Sequence, residues 1–347
     1  MKSLILREKD KAILNLIVES YLRIGKPISS GFIAQKKESL DSAATIRNIM
    51  AKLEDFGFLI QPHTSAGRIP TDKGLKFYVN SLSEKTLLLK EKASFLPEDF
   101  SMKKGDLNSL LVQVSRLLAE YSDNLGFVIS PRISKINFHH LHFIKVAEDK
   151  IMIVLITSFN LYLTEIVQSN DSFSQAELDE ASQYINQSFR GKNLTFIRDY
   201  LFQELPKYHL KYETLINKLT SLLKTSIVQE EGENQIFLEG TSKLVGKVEL
   251  FDMEKLKSLF QKLEEKSKLA KLLSDFIALD QVKVLIGSEL NLPDISDCAL
   301  ILSHYGYENQ VLGSLGIIGP KRIPYGRIIP LVNCVARRLS RTISYFQ

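Results

Sequence analysis

Cysteine is nearly missing: the 347 residues contain two, Cys298 and Cys334. Two thiols so far apart cannot build the dense disulfide framework of a small secreted scaffold. Both read as buried free thiols. Long hydrophobic runs are missing too. The longest aliphatic stretch, Ile151 to Ile156, has six residues, against the roughly 20 that a membrane helix needs. The amino terminus offers only Leu4-Ile5-Leu6 before charges return, which is no signal peptide. A cytoplasmic protein without membrane contact is expected. Composition is not extreme, with 44% hydrophobic and 24% charged residues. That excludes a disordered tail and a collagen-like fibre. The length predicts two or three domains, at roughly 100–200 residues each. Excess charge is small as well, +5 overall, but it sits in one place. Residues 1–85 carry 14 Lys+Arg against 9 Asp+Glu, and residues 86–347 carry 31 of each.

That basic quarter has a helical pattern. Ala12, Ile13, Leu16, Ile17, Tyr21 and Ile24 recur at steps of 3 and 4 within 8–24, which predicts an amphipathic helix. Gly25-Lys26-Pro27 stops it. Ser29 or Ser30 can cap a short second helix, and Asp41 or Ser42 a third. In the third, Ile46, Ile49, Met50, Leu53 and Phe56 fill one arc, and Ala44, Thr45, Arg47, Asn48 and Lys52 the opposite one. The second arc is small, polar and basic. A solvated helix face would look the same. A recognition helix would use it: small side chains allow close approach, Arg suits guanine, and Asn suits adenine in the major groove.

Gly57 to Gln61 then reads as a short strand, and Pro62 to Thr71 as a turn and a return strand around Ile69. A helix-turn-helix followed by a hairpin is a winged helix. Its wing would carry His63, Thr64, Ser65 and Arg68, groups suited to phosphate or minor-groove contact. A surface loop without a partner is the alternative. A further helix begins near Thr71, with Leu75, Tyr78, Val79 and Leu82 on its apolar side.

The run ATIRNIMAKLEDFGFLIQPHTSAGRIPTDKGLKFYV, residues 44–79, closely resembles the DNA-binding region of the heat-inducible transcription repressor HrcA family. IFLEGTSKLVG (236–246) and LGSLGIIGPKRIPYGRIIPLVNCVARRLSRTI (312–343) resemble later blocks of the same family. Residues 85–235 are similar only in layout. Ala43 stands where the family usually has proline, and Ile323-Pro324 where it usually has Met-Asp. The resemblance implies a homodimeric repressor of chaperone operons. It implies an inverted-repeat operator of the CIRCE type, and an active form favoured by the chaperonin GroE.

Beyond the basic quarter, 108–125 reads as a helix. HFIKVA, KIMIVLIT and NLYLTEIV (142–167) read as three strands, and 174–228 as helices broken near Gly191 and Pro206. Asp252 to Leu279 reads as helix, VKVLIG, CALILSHY and VLGSLGIIG as strands, and 325–344 as a closing helix. This is a multidomain α+β layout. The family likeness implies a GAF-like domain interrupted by an inserted dimerisation segment. The expected division is a winged-helix DNA-binding domain (1–85), a linker (86–105), a GAF-like domain in two segments (106–170 and 251–347) and a mainly helical insertion (171–250). The stripe Leu215, Ile216, Leu219, Leu222 and Leu223 could be core or dimer seam.

No catalytic constellation stands out: no Ser-His-Asp, no Cys-His, no paired carboxylates. His139, His140 and His142 lack companions at metal-ligand spacing. Gly313 to Gly319 imitates a phosphate-binding glycine pattern but lies in a strand. Lys321, Arg322, Arg327, Arg337, Arg338 and Arg341 form a basic region that reads as a solvated face. No enzyme, cofactor or metal is expected. The partners expected are double-stranded operator DNA, a second copy of the chain and GroE. Ser42, Ala44, Thr45, Arg47, Asn48 and Lys52 would serve the recognition helix, and His63, Thr64, Ser65 and Arg68 the wing. The alternative is a winged-helix regulator that senses a small molecule in the GAF-like domain.

Overall fold

The computed structural model describes residues 6–36, 41–64, 66–86, 107–131, 137–157, 162–168, 172–194, 196–197, 200, 236–245, 282–290, 296–307 and 310–344. The protein is a mixed α+β structure with three sheets among the described residues. No described helix is long and apolar enough to cross a membrane.

Three helices open the chain. Helix α1 (Glu8–Ile24) buries Ile13, Leu14, Ile17 and Val18. It stops at Gly25, which adopts φ 76° and returns its N–H to the Tyr21 carbonyl at 2.8 Å. That left-handed cap is a conformation glycine reaches without a Cβ penalty. Helix α2 (Ser30–Ala34) is capped by Ser29. Helix α3 (Ala43–Asp55) is capped by Ser42, whose Oγ accepts the Thr45 N–H at 3.2 Å. So Ser29 and Ser42 are the capping residues of the two pairs. Ile46, Ile49, Met50 and Leu53 of α3 are buried, and α3 packs on both α1 and α2. Strands β1 (Leu59–Ile60) and β2 (Ile69–Pro70) pair antiparallel, and an isolated bridge between Ile28 and Arg68 adds a third rung. Gly67 makes that rung possible, because a Cβ there would lie 2.3 Å from the Ile28 carbonyl oxygen. Helix α4 (Asp72–Thr86) follows. Thr71 Oγ1 accepts the Gly74 N–H and donates to the Gly57 carbonyl at 2.7 Å, joining the start of α4 to the hairpin.

The remainder holds two larger sheets. Helix α5 (Leu107–Ser122) turns out of helical conformation at Asp123, φ 55°, and strand β3 (Leu125–Ile129) begins two residues on. The expected helix over 108–125 therefore ends three residues early, and β3 is additional. Strands β4 (Phe138–Ala147), β5 (Lys150–Thr157) and β6 (Tyr162–Gln168) form an antiparallel sheet of their own. Helix α6 (Gln175–Phe189) runs along β4 and satisfies its free edge with side chains. Gln175 accepts from the Lys145 N–H and donates to the Phe143 carbonyl. Ser182 accepts from the Phe143 N–H. Asn186 accepts from the Leu141 N–H and donates to its carbonyl. This closes an edge that would otherwise invite strand pairing.

Strand β7 (Ile236–Glu239), also additional to the expected elements, precedes helix α7 (Thr241–Val245). Strands β8 (Lys283–Ile286), β9 (Cys298–Tyr307) and β10 (Gln310–Pro320) lead to helix α8 (Tyr325–Ser344). The sheet order β7-β3-β10-β9-β8 is antiparallel throughout. Helices α5 and α8 touch each other and cover one face of it. Pro330 lies within α8. Its missing N–H leaves the carbonyl of Gly326 without its helical donor, and Gly326 is exposed to water. Cys298 and Cys334 are free, the first buried and the second half-buried. The segments 174–228 and 252–279 fall outside the described residues except for α6 and its short continuation to residue 200, and so does the stripe Leu215 to Leu223.

Candidate nucleic-acid interface

The face of α3 turned away from the core is assembled by its own periodicity. With Ile46, Ile49, Met50 and Leu53 buried, Ser42, Ala44, Arg47 and Asn48 are exposed and Thr45 is half-buried. Ala51, unremarked in the sequence, is exposed beside them. It lies three residues after Asn48, so helical spacing alone places it on that stripe. The stripe is small and polar, with Arg47 as its cation. Among the described residues Arg47 has no ion-pair partner. Ser42 Oγ is occupied at the helix start, capping the Thr45 N–H and lying 3.0 Å from Thr45 Oγ1.

Two of the expected cations are differently placed. Lys52 is half-buried and reaches back to α1, where its Nζ pairs with the buried Asp10 carboxylate. The same carboxylate accepts the Arg7 backbone N–H. Arg68 has a side chain only 17% exposed, and its Nε lies 2.8 Å from Glu54 Oε2. That approach is off the line of the N–H, so it is an ion pair and not an aligned hydrogen bond. Glu54 also accepts the Gln61 N–H at 3.1 Å. Lys52 and Arg68 thus already tie α3 to α1 and to the hairpin. Lys9 and Asp41, 2.6 Å apart, join α1 to the approach of α3.

The tip between β1 and β2 is organised by Gln61. Its Nε2 donates to the carbonyls of Thr64 and Ala66 at 2.9 and 3.0 Å, and the Ala66 N–H closes a turn on the His63 carbonyl. His63 and Thr64 are exposed at this tip. Ser65 is outside the described residues. Lys73 sits at the base of the hairpin, 4.5 Å from the Phe58 ring centroid, and donates to the Phe56 carbonyl.

The histidine cluster lies elsewhere, on β4. His140 and His142 meet edge to face at 4.5 Å between centroids. They border a crevice of about 410 Å³ shared with Asp179, Asn186 and Arg190 of the α6 region. Burial lowers the His140 pKa, and repulsion from His142, His139 and Arg190 adds to the shift. Among the described residues no His, Cys, Asp or Glu cluster has metal-binding geometry.

Residues 108–329 match the family described as "HrcA protein C terminal domain". The chain is similar to the heat-inducible transcription repressor HrcA of Geobacter sulfurreducens, 32% identical over 336 residues that cover 97% of this chain and 98% of the relative. It is likewise 32% identical to the HrcA repressor of Thermodesulfovibrio yellowstonii over 349 residues, 99% of this chain and 100% of the relative. A solved structure described as a hypothetical protein at 2.2 Å resolution shares the fold, with a TM-score of 0.68 at 24% identity, covering 99% of this chain and 100% of that one. The matched stretch takes in α5, all of the five-stranded sheet and the start of α8, and the relatives' similarity runs through the α3 stripe and the hairpin as well. The chain therefore belongs to the HrcA family of heat-inducible transcription repressors.

Proposed function

We propose that this protein is a dimeric heat-shock repressor that binds an inverted-repeat, CIRCE-type operator upstream of chaperone operons, with an active form favoured by GroE. Residues 1–85 act as a winged helix-turn-helix. The expected division, a GAF-like body of 106–170 and 251–347 around an insertion of 171–250, is redrawn on the sheets. Strands β4 to β6 make a sheet of their own while β7 pairs with β3, so the inserted dimerisation segment runs from near residue 137 to near 235 and the body takes the residues on either side. The observation that carries the reading is the α3 stripe. Ala44, Arg47, Asn48 and Ala51 project from a helix anchored on its opposite side by Ile46, Ile49, Met50 and Leu53.

A helix presenting small residues around one Arg and one Asn fits the major groove, which is about 12 Å wide. Arg47 would address guanine, Asn48 adenine, and Thr45 and Ala51 the thymine methyls. Ser42 would act through the helix cap. His63, Thr64 and Ser65 would lie against the flanking phosphates or minor groove. Lys52 and Arg68 support the two elements from behind, through Asp10 and Glu54. Two protomers related by a two-fold axis would read a pseudo-palindrome. Footprinting on the chain's own chaperone promoters, with and without GroE, tests the reading. Protection of an inverted repeat that sharpens with GroE is expected. Protection that lacks two-fold symmetry, or is indifferent to the chaperonin at heat-stress temperature, would refute it.

A further inference from the structure

Helix α4 leaves the amino-terminal unit and lies against the sheet body, near β8 and α8. Its apolar residues Leu75 and Val79 are buried, and the contact with the body is framed by charge. Asp72 Oδ1 is 2.6 Å from Lys321 Nζ, in the connection between β10 and α8. One turn along α4, Lys76 Nζ is 2.8 Å from Glu289 Oε2 and also donates to the Val284 carbonyl on the outer edge of β8. Backbone groups join in. Asp72 Oδ2 accepts the Ser288 N–H, and Glu289 accepts the Ile286 N–H at 3.1 Å. Gly287 is shaped to this contact. It adopts φ 57°, and a Cβ there would lie 2.0 Å from Asp72 Oδ2. Next to Lys321, the Arg322 guanidinium covers Gly25 at the end of α1.

Each of the four charged side chains remains 27–37% exposed, so neither pair is a strong source of stability. Their pattern has another consequence. Helix α4 presents minus then plus, and the body presents plus then minus. A slide of α4 by one turn would bring Asp72 toward Glu289 or Lys76 toward Lys321, like against like. Opposed charges of this kind fix register and orientation more than affinity. We infer that the Asp72–Lys321 and Lys76–Glu289 clasp sets the orientation of the recognition helix relative to the body, and thereby determines which half-site spacing the dimer accepts. The inference rests on the dimeric repressor reading only in its last step, from orientation to spacing. Asp72, Lys76, Glu289 and Lys321 are positioning residues and touch no DNA.

Charge-neutral reversals test it. Asp72→Lys with Lys76→Glu inverts the α4 side, and Glu289→Lys with Lys321→Glu inverts the body side. The four changes together restore complementarity. The first readout needs no DNA. Spin labels at Arg23→Cys on α1 and Arg337→Cys on α8, with Cys298→Ala and Cys334→Ala, report the distance between the two parts in full-length chains diluted with unlabelled protein. One narrow distribution is expected for the parent. A broad one is expected for either reversal, and recovery for the fourfold variant. Unchanged distributions in both reversals, or no recovery, would overturn the clasp whatever the protein binds. The second readout is affinity for inverted repeats whose spacer differs by five base pairs, alongside a single half-site. The parent should prefer one spacing at least tenfold, and each reversal less than threefold, with half-site affinity within twofold. A spacing preference that survives a broadened distance would overturn the link to spacing. A parent with no affinity for any inverted repeat overturns the repressor reading and with it that link, leaving orientation to the distance measurement.

Discussion

Replacing Lys52 with alanine separates two roles that the side chain could have. If Lys52 meets a DNA phosphate, its loss weakens all duplexes alike and reduces the salt slope of binding by about one. In the structure its Nζ instead meets Asp10, whose side chain is 7% exposed. Removing the ammonium leaves that carboxylate with the Arg7 N–H as its other hydrogen-bond donor among the described contacts. A buried polar group that loses its partner costs about 1–3 kcal/mol, and a fully buried charge more. Because the Lys52 side chain is 37% exposed, water can partly replace it, and the lower half, about 1–2 kcal/mol, is expected. Such a loss should appear as a local opening of α1 against α3, at the bottom of the helix pair that supports the recognition stripe. Hydrogen exchange at the Ile46 and Ile49 amides measures it directly, and protection should fall roughly five- to thirtyfold. Asp10→Ala should produce a similar loss, and the double variant less than the sum. Unchanged amide protection in Lys52→Ala, with a salt slope shallower by about one, would refute the reasoning and return Lys52 to the DNA face.

The other expectations are narrower. Arg47→Ala should cost about 1–3 kcal/mol of operator affinity and relax base preference at one position per half-site, read by a shift assay across substituted operators. Gly67→Ala should destabilise the amino-terminal unit by about 1–3 kcal/mol, because the new Cβ meets the Ile28 carbonyl oxygen at 2.3 Å and that neighbour is backbone; denaturation followed by exchange at the Ile28 and Arg68 amides tests it. Asn186→Ala should cost about 1–3 kcal/mol by leaving both backbone groups of Leu141 without partners, visible as faster exchange along β4. His140 favours its neutral form in the fold, so the unfolded chain binds more protons as pH falls through the ordinary histidine range, and stability drops there. His140→Gln should flatten the pH dependence of the melting temperature between about pH 7 and 5.

Local order was readable where the pattern is strong. The burial of α3 follows from Ile46, Ile49, Met50 and Leu53 at helical spacing, and Ser42 caps where a capping residue was expected. The apolar run of KIMIVLIT appears as β5, with Ile151, Ile153 and Leu155 buried. Strand β3 was hidden because Leu125 to Ile129 is a short apolar run only three residues, Ser122-Asp123-Asn124, beyond the last apolar position of α5. The left-handed turn between them rests on Asp123, a residue type that enters this conformation more readily than most, in a turn signal of only those three residues. Strand β7 is four residues long and owes its place to pairing with β3. The separation of β4 to β6 from the other sheet was also out of reach, since periodicity reports faces and not partners. The candidate interface divides the same way. The exposed arc of α3 is a property of one helix. The engagement of Lys52 by Asp10 joins residues 42 positions apart, and no local pattern encodes it.

That division alters what the charge excess of residues 1–85 means. A surplus of five looks like a phosphate-binding surface. Yet Lys9, Lys52, Arg68 and Lys76 all face carboxylates inside the protein. Ion pairs that persist on binding release no counterions from DNA. Among the described residues the cation centred on the exposed α3 stripe is Arg47, so the stripe itself supplies little sequence-independent affinity. If the stripe reads DNA as proposed, the salt slope per half-site should be small beside the count of lysines and arginines in the unit. Discrimination must then come from base edges and from the fixed separation of two stripes. On that reading, a dimeric repressor would lose its operator when that separation is lost, with the base-reading stripe of each protomer still intact.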